Sequence, residues 1–232
     1  MQNKDYQGYV PTANSNFMYR VYGWMALALA ISAVTAYTLL ASPMLLGFVY
    51  SSPAVLFFLV IAQLALVVAI SSSLRSGMKS GTVMALFLLY SFLTGLTLSS
   101  IFFTYTWTAI YSSFLVAALM FGIMCLYGYF TKSDLSSLGN ILFMGLIGLV
   151  IAMVINMWLH SSTWSYVISI VGVILFTALT AYDTQRIKRI SEQFALDNEM
   201  KGKVAIVGAL TLYLDFLNLF LFILRMMNNR RS

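Results

Sequence analysis

The sequence is short of charge above all: Asp, Glu, Lys and Arg make up 9% of its 232 residues, whereas 61% are hydrophobic. A soluble domain carries about a quarter charged residues, so this composition indicates a membrane protein. The net charge of +6 does not indicate a nucleic-acid-binding surface, because the basic residues lie in short segments between apolar runs, where they determine topology. We therefore expect a lipid bilayer as the surroundings and no nucleic-acid partner.

Other absences narrow the function. The one cysteine, Cys125, lies inside an apolar run, so the chain cannot form an internal disulfide. The one histidine, His160, stands alone between two apolar runs and is a poor candidate for a metal ligand. No P-loop, zinc-binding or serine-triad motif occurs, so we expect neither a cofactor nor an enzymatic activity. Residues 1–20 are polar and lack the apolar core of a cleavable signal peptide, so the first membrane helix is expected to act as its own signal.

Long apolar runs fill most of the chain. A helix that spans the membrane needs about 20 predominantly apolar residues. Seven runs meet this requirement: residues 21–42, 54–74, 82–104, 109–130, 140–159, 165–184 and 206–227. The sequence therefore predicts an all-α integral membrane protein, a bundle of seven transmembrane helices. The predicted divisions are a cytoplasmic tail over 1–20, a single membrane domain over 21–227 and a short tail over 228–232.

Basic residues lie on one side of the predicted bundle. The connections at 43–53, 105–108 and 160–164 contain no lysine or arginine. Cytoplasmic connections are enriched in these residues, so the N-terminus is predicted to be cytoplasmic. The bases on that side are Lys4, Arg20, Arg75, Lys79, Lys132, Arg186, Lys188, Arg189, Lys201 and Lys203.

The last run disagrees with this pattern, because a seventh crossing places Arg225, Arg230 and Arg231 outside. The run either spans the membrane regardless or enters and returns as a re-entrant segment, which is tolerated only where protein buries it. No glycine or proline interrupts the run after Gly208, which favours a full crossing.

Two acidic residues lie within or beside apolar runs. Asp183 is near the cytoplasmic end of the sixth run, and Asp215 lies roughly 10–17 Å into the seventh at 1.5 Å per residue. The two carboxyls can therefore meet in the cytoplasmic half of the bundle. Arg75, at the cytoplasmic end of the second run, is the base best placed as their counter-charge. An aspartate at the membrane centre costs about 2.5–3.5 kcal/mol on insertion scales, so such residues usually mark functional sites.

Several uncharged polar residues lie on the predicted inner faces of the third, sixth and seventh runs. The candidates for a polar stripe or pore are Thr94, Thr180, Thr211 and Asn218. Thr211 and Asn218 share a helical stripe with Asp215. Such residues either line a pathway or only join helices through hydrogen bonds. Both interpretations stay open for these four, whereas a pair of carboxylates favours a functional role.

The predicted aspartate pair can act as a pH-controlled latch. Two like charges about 4 Å apart repel by roughly 4 kcal/mol at an effective dielectric of 20, which is enough for the pair to hold one shared proton and titrate as a coupled unit. When protonated, the carboxyls hydrogen-bond and clamp the sixth and seventh helices together. When doubly ionised they repel, and either Arg75 or a hard cation compensates them. Asp183 and Asp215 are accordingly candidate transient calcium ligands.

Four segments are distinctive when taken together: GLTLSSIFFTY (95–105), ILFMGLIG (141–148), TAYDTQRIK (180–188) and GALTLYLDFLNLF (208–220). They resemble the transmembrane Bax inhibitor motif (Bax inhibitor-1-like) family, especially its bacterial inner-membrane branch. The resemblance implies seven helices with the seventh central and wrapped by the other six. It also implies a pH-sensitive calcium leak governed by two aspartates, matched here by Asp183 and Asp215. An arginine on the second helix is implied as their alternating partner, and Arg75 is its nearest match.

This resemblance leads to one main hypothesis and several alternatives. The main hypothesis is a proton-gated, calcium-permeable leak channel of the bacterial inner membrane. The first alternative is a non-conducting regulator of a membrane ATP-dependent protease or another stress-response partner, and transport of a different solute is the second. Some relatives have an acid within the second helix where this chain has Gln63. An intramembrane aspartyl protease is disfavoured, because Leu212 and Leu214 replace the glycines which that family needs before its second aspartate.

We expect the cysteine of an Asp197→Cys variant to resist labelling from outside intact cells, because the basic connection at 186–203 is predicted to face the cytoplasm. Labelling of that cysteine would contradict the orientation. A reporter fused to the C-terminus should map outside if the last run spans the membrane. A cytoplasmic reporter signal would instead indicate a re-entrant segment.

Overall fold

The computed structural model describes residues 15–50, 52–193 and 198–229. The α-helices are α1 (Ser15–Ala41), α2 (Pro43–Tyr50), α3 (Pro53–Ser72), α4 (Ser80–Leu98), α5 (Ile101–Thr104), α6 (Trp107–Phe130), α7 (Gly139–Leu159), α8 (Ser162–Gln193) and α9 (Asn198–Asn229). A 3-10 turn over Leu135–Leu138 precedes α7. Within the described ranges there is no strand, and seven helical spans are long and apolar enough to cross a membrane. The predicted all-α, multi-pass fold is confirmed.

The helices extend beyond the predicted apolar runs at the end of the bundle that carries the loop bases, called here the basic end. α1 begins at Ser15 rather than at residue 21, α8 continues to Gln193, and α9 begins at Asn198. Lys, Arg, Glu and Gln are good helix formers, so a helix continues where an apolar run stops. The predicted tails are described only in part, since residues 1–14 and 230–232 lie outside the described ranges, as does position 197.

Two connections differ from a simple helix-and-loop pattern. The connection after α1 contains the short helix α2, although the sequence predicts only a loop there. The third predicted run is split into α4 and α5. The hydroxyls of Ser99 and Ser100 donate to the carbonyl oxygens of Leu96 and Thr97 at 2.7 and 2.8 Å, and such side-chain bonds compete with regular helical bonding.

α9 is the central helix. It packs against α1, α4, α6 and α8, and 72% of its most apolar stretch is buried, against 6% for α3 and 11% for α7. A helix that is apolar all round is stable only where other helices surround it or lipid covers it. Ala209, Leu210, Leu212 and Phe222 of α9 are all buried and spread over about two thirds of its circumference, so protein surrounds most of the helix. The expectation of a central last helix is confirmed.

α9 is also uninterrupted. Its 32 residues extend about 48 Å at 1.5 Å per residue, which exceeds the roughly 30 Å of a bilayer core. A re-entrant segment needs a break at which the chain turns back, and α9 has none. Its geometry is that of a full crossing.

Glycine allows α6 and α8 to approach each other closely. A Cβ added at Gly128 of α6 would overlap the backbone of Ala181 on α8. Small residues at such crossings are typical of membrane helices, because they permit close backbone contact. This contact lies two residues from Asp183, so it helps to set the position of α8 beside α9.

We expect Gly128→Ala to lower the free energy of unfolding by about 1–3 kcal/mol, because the backbone of Ala181 cannot move aside as a flexible side chain would. Denaturation by sodium dodecyl sulfate in mixed micelles measures this quantity. Gly122→Ala is the matched control on the same helix, since no atom lies within 4 Å of its added Cβ. Equal losses in the two variants would contradict the close crossing.

Candidate functional site

The structure brings Asp183 and Asp215 together between α8 and α9. The two residues are 7% and 5% exposed, and their carboxyl groups are close enough to interact electrostatically. Oδ2 of Asp215 has no hydrogen-bond partner among the described residues. An incompletely bonded carboxyl is costly in a membrane interior. The packing of the surrounding helices therefore holds Asp215 in place.

Polar contacts on the far side of α8 turn Asp183 toward α9. Gln185 makes two hydrogen bonds, of 2.9 and 2.8 Å, to the backbone of the connection between α6 and α7. Arg189, one turn further on, forms an ion pair of 2.7 Å with Asp134 in the same connection. At 3.6 residues per turn, Gln185 and Arg189 lie on the side of α8 away from Asp183. The polar residues of the TAYDTQRIK segment thus lie on two opposite faces of α8, one toward α9 and one toward the connection between α6 and α7.

A cavity of about 640 Å³ lies between α3, α8 and α9 at the basic end, and is called here the aspartate cavity. Its polar lining consists of Ser71, Ser72, Arg75, Asp183, Arg186 and Thr211. Asp215 does not line it and lies one helical turn beyond Thr211. Asp183 is therefore the member of the pair that faces the cavity, and Asp215 lies behind it.

Two arginines share this cavity with Asp183. Arg75 lines the cavity on the α3 side. Its role as the counter-charge of the aspartate pair remains a prediction. The ion pair that Asp183 makes is with Arg186, at 3.9 Å between Nη1 and Oδ1, and the Arg186 side chain is 62% exposed. Exposed ion pairs contribute only about 0.2–1 kcal/mol, so this contact is easily exchanged. In the sequence Arg186 looks like one of several loop bases, although its i, i+3 spacing from Asp183 is a usable signal of this pair.

The four polar-stripe candidates each bond to their own helix. Thr94, Thr180, Thr211 and Asn218 all donate to the carbonyl oxygen four residues earlier, at 2.7–3.1 Å. Thr211 also lines the aspartate cavity. Thr211 therefore lies at the site. Thr94, Thr180 and Asn218 each donate a hydrogen bond within their own helix.

A hydrogen-bonded layer that the sequence analysis missed holds the opposite face of α9. The hydroxyl of Tyr213 lies 2.6 Å from Oγ of Ser32 on α1. Ser32 directs its single proton to backbone carbonyls, including that of Ser91 at 2.7 Å, so Tyr213 is the donor to Ser32. The ring of Tyr90 packs edge-on against Tyr213 with 5.9 Å between centroids. Tyr213 and Asp215 are two residues apart and therefore point to opposite sides of α9.

Uncharged polar groups complete the surroundings of Asp215. Cys125 of α6 interacts with Asp215. Oγ1 of Thr184 lies 3.5 Å from the sulfur of Cys125. The hydroxyl of Tyr22 on α1 also interacts with Cys125. Among the described residues no ion pair neutralises Asp215 directly. The charge state of Asp215 therefore depends first on its burial and then on Asp183.

The pair alone is a weak metal site. Calcium takes six to eight oxygen ligands, whereas the described part of the chain holds no group of three or more His, Cys, Asp and Glu side chains placed around one metal position. Two carboxylates can contact a passing cation, but they do not form a tight calcium site.

We expect Asp215→Asn to raise the free energy of unfolding at about pH 8 by on the order of 1 kcal/mol, with a smaller gain at about pH 5. At high pH asparagine removes the repulsion of two carboxylates and donates a hydrogen bond to Asp183. At low pH we expect the native pair to be protonated and already hydrogen-bonded, which leaves asparagine less to add. Denaturation in mixed micelles across this pH range measures the difference.

Asp134→Asn is the matched control for this pH dependence. The backbone N–H of Ser136 and the Arg189 guanidinium lower the pKa of Asp134 to about 2. A lowered pKa contributes stability above the unfolded pKa, and that stability is lost only as the pH falls through the folded value. The free energy of unfolding that Asp134→Asn loses should therefore be constant between about pH 5 and pH 8. A gain in Asp215→Asn that is equally constant would contradict a titrating pair.

Comparisons with known proteins agree with this architecture. Residues 14–232 match the family described as Inhibitor of apoptosis-promoting Bax1 (Bax1-I). The chain is 49% identical over 216 residues to Inner membrane protein YbhL of Escherichia coli (strain K12), which covers 93% of this chain and 92% of that protein. It is 44% identical over 218 residues to a protein of Borreliella burgdorferi, covering 94% of each. It is 35% identical over 213 residues to a membrane protein of Streptococcus pyogenes serotype M1, covering 91% of each. The chain therefore belongs to the Bax inhibitor-1-like family of multi-pass membrane proteins.

Proposed function

We propose that this protein is a pH-sensitive, calcium-permeable leak pathway, gated by a proton that Asp183 and Asp215 share. The observation that carries the proposal is the position of this buried pair between the central helix and α8, with Asp183 in the wall of a cavity of about 640 Å³. A buried pair of like charges reached from one end of a membrane bundle is an arrangement suited to sensing protons.

The bacterial inner membrane is the proposed location. The relative YbhL is named an inner membrane protein, and this chain has the spans for several crossings. The connections that carry Arg75, Lys79 and Lys132 are proposed to face the cytoplasm, since basic connections stay on that side. The aspartate cavity then opens toward the cytoplasm, and its gate responds to cytoplasmic pH.

The gate has two states that differ in charge. With a proton on the pair, the carboxyls hydrogen-bond and hold α8 against α9. With both carboxyls ionised, their repulsion of roughly 4 kcal/mol at about 4 Å and an effective dielectric of 20 separates the helices unless a cation intervenes. Such a local charge change acting on a two-state contact is a general switching device.

Arginine and calcium compete for the ionised pair in this mechanism. Arg186 holds Asp183 through an exposed contact of 3.9 Å, and Arg75 faces the same cavity. Because the pair is a weak metal site, calcium binds it briefly and leaves again. Brief binding is what conduction requires, since a tight site would trap the ion.

We expect Asp183→Asn and Asp215→Asn each to remove the pH dependence of calcium influx into proteoliposomes. One remaining carboxyl cannot alternate between a clamped and a repelled pair. A calcium dye inside the liposomes, read across a pH series around neutrality, measures the flux. An unaltered pH profile in both variants would rule out the latch.

Further variants test the charges around the pair. Arg75→Ala and Arg186→Ala should keep the response and move its midpoint to higher pH, because each removes a positive charge that favours the ionised pair. Asp134→Asn should leave the midpoint unchanged, since its pKa of about 2 keeps that carboxyl ionised throughout. If the folded protein conducts no calcium at any pH, the alternative of a non-conducting regulator of a membrane protease or stress-response partner replaces this proposal.

A further inference from the structure

A second cavity lies between the basic ends of α1, α4 and α9, separate from the aspartate cavity between α3, α8 and α9. Its volume is about 380 Å³. The residues that matter for its chemistry are Arg20, Trp24, Ser80, Met84, Gly202 and Ile206. It is called here the basic-end pocket.

The lining of the basic-end pocket changes from polar to apolar within one helical turn. All three helices have their N-terminal ends at the basic end, so higher residue numbers lie farther from that end in each of them. Trp24, Met84 and Ile206 each follow a rim residue by four positions, after Arg20, Ser80 and Gly202 respectively. Four residues correspond to about 6 Å. A polar rim therefore lies directly above an apolar floor, as in the boundary between lipid headgroups and chains.

The rim carries an excess of positive charge. Arg20 is exposed, and no carboxylate pairs with it within the described ranges. Lys79 and Lys201 immediately precede the rim residues Ser80 and Gly202. The nearby acid Glu199 accepts hydrogen bonds from the N–H and hydroxyl groups of Ser80, and its single negative charge leaves the positive charges of Arg20, Lys79 and Lys201 in excess. An anion is the ligand that this rim favours.

We propose that the basic-end pocket binds an anionic phospholipid, with its phosphate at Arg20 and its glycerol and chains against Trp24, Met84 and Ile206. Guanidinium groups form strong, charge-assisted hydrogen bonds with phosphate. Basic pockets between transmembrane helices on the cytoplasmic side are typical headgroup sites, and tryptophan is enriched at that depth. A free phosphate would use the rim alone and leave the apolar floor uncovered. The bound lipid joins α1 and α4 to the N-terminal end of the central helix.

Trp24 is a built-in reporter for this site. The other three tryptophans, Trp107, Trp158 and Trp164, lie at the opposite end of the bundle, so Trp107→Phe, Trp158→Phe and Trp164→Phe together leave Trp24 as the only tryptophan. In phosphatidylcholine vesicles, phosphatidylglycerol with brominated chains should quench Trp24 more strongly than brominated phosphatidylcholine at the same mole fraction. We expect a relative affinity of about fivefold or more for one basic contact at the membrane surface. Equal quenching by the two lipids would overturn the proposal.

Matched variants locate the preference. Arg20→Gln should bring the relative affinity close to one, and Arg20→Lys should retain most of it because the charge remains. Lys132→Gln removes an exposed base of the same end outside the pocket and should retain the full preference. An equal loss in Lys132→Gln would show general surface attraction and overturn a specific site.

Two further measurements separate the remaining explanations. Replacing chloride with inorganic phosphate at constant ionic strength should leave the preference intact, and its disappearance would assign the rim to free phosphate and overturn the lipid assignment. Native mass spectrometry of the chain with all its tryptophans should show phosphatidylglycerol adducts that Arg20→Gln reduces about fivefold and Lys132→Gln does not. Equal adducts in all three proteins would overturn the proposal independently of the tryptophan replacements.

Discussion

The burial of Asp215 within the bundle is the constraint on which the arrangement of the other helices depends. A carboxyl near the centre of a membrane costs a few kcal/mol even on insertion scales, and Oδ2 of Asp215 has no hydrogen-bond partner among the described residues. The helix that carries it must be enclosed by protein, because lipid cannot solvate the group. α9 accordingly has neighbours around most of its circumference, whereas α3 and α7 can remain peripheral and face lipid.

Enclosure of α9 does not by itself bring the carboxyl of Asp183 to that of Asp215. The rotation of α8 about its own axis brings the two together. Gln185 and Arg189 bind the connection between α6 and α7, while Gly128 lets α6 lie close against α8. These contacts act on the side of α8 away from Asp183. Loss of the Gln185 hydrogen bonds or of the close Gly128 crossing would turn Asp183 relative to α9, whereas the exposed Arg189–Asp134 pair contributes little. Residues far from the pair thus influence whether the two carboxyls meet.

The sequence predicts the helix count and the aspartate pair because both rest on strong local signals. Apolar runs of about 20 residues mark spans, and acids within such runs are rare enough to be conspicuous. The role of Arg186 was missed because the run of bases around it was interpreted only as a topology signal. The bond between Tyr213 and Ser32 joins residues 181 positions apart, and no periodicity within one helix can show which pair of helices will meet. Helix ends differ for a related reason, since apolarity marks where the membrane ends and helix propensity decides where the helix ends.

The two faces of α9 are bonded in different ways, and this difference indicates where the bundle can move. On the α1 and α4 side, Tyr213 and Ser32 form a neutral, fully satisfied layer that does not change with pH near neutrality. On the α8 side, the contact is a carboxyl pair with an unsatisfied oxygen, so its bonding depends on protonation. α3, which forms the remaining wall of the aspartate cavity, packs mainly on α4 and is joined to it by Gln63, which donates to the carbonyl of Leu93 at 3.0 Å. If the pair acts as the proposed latch, loss of its shared proton would therefore loosen α8 from α9, while α1, α3, α4 and α9 remain together as the fixed part of the bundle.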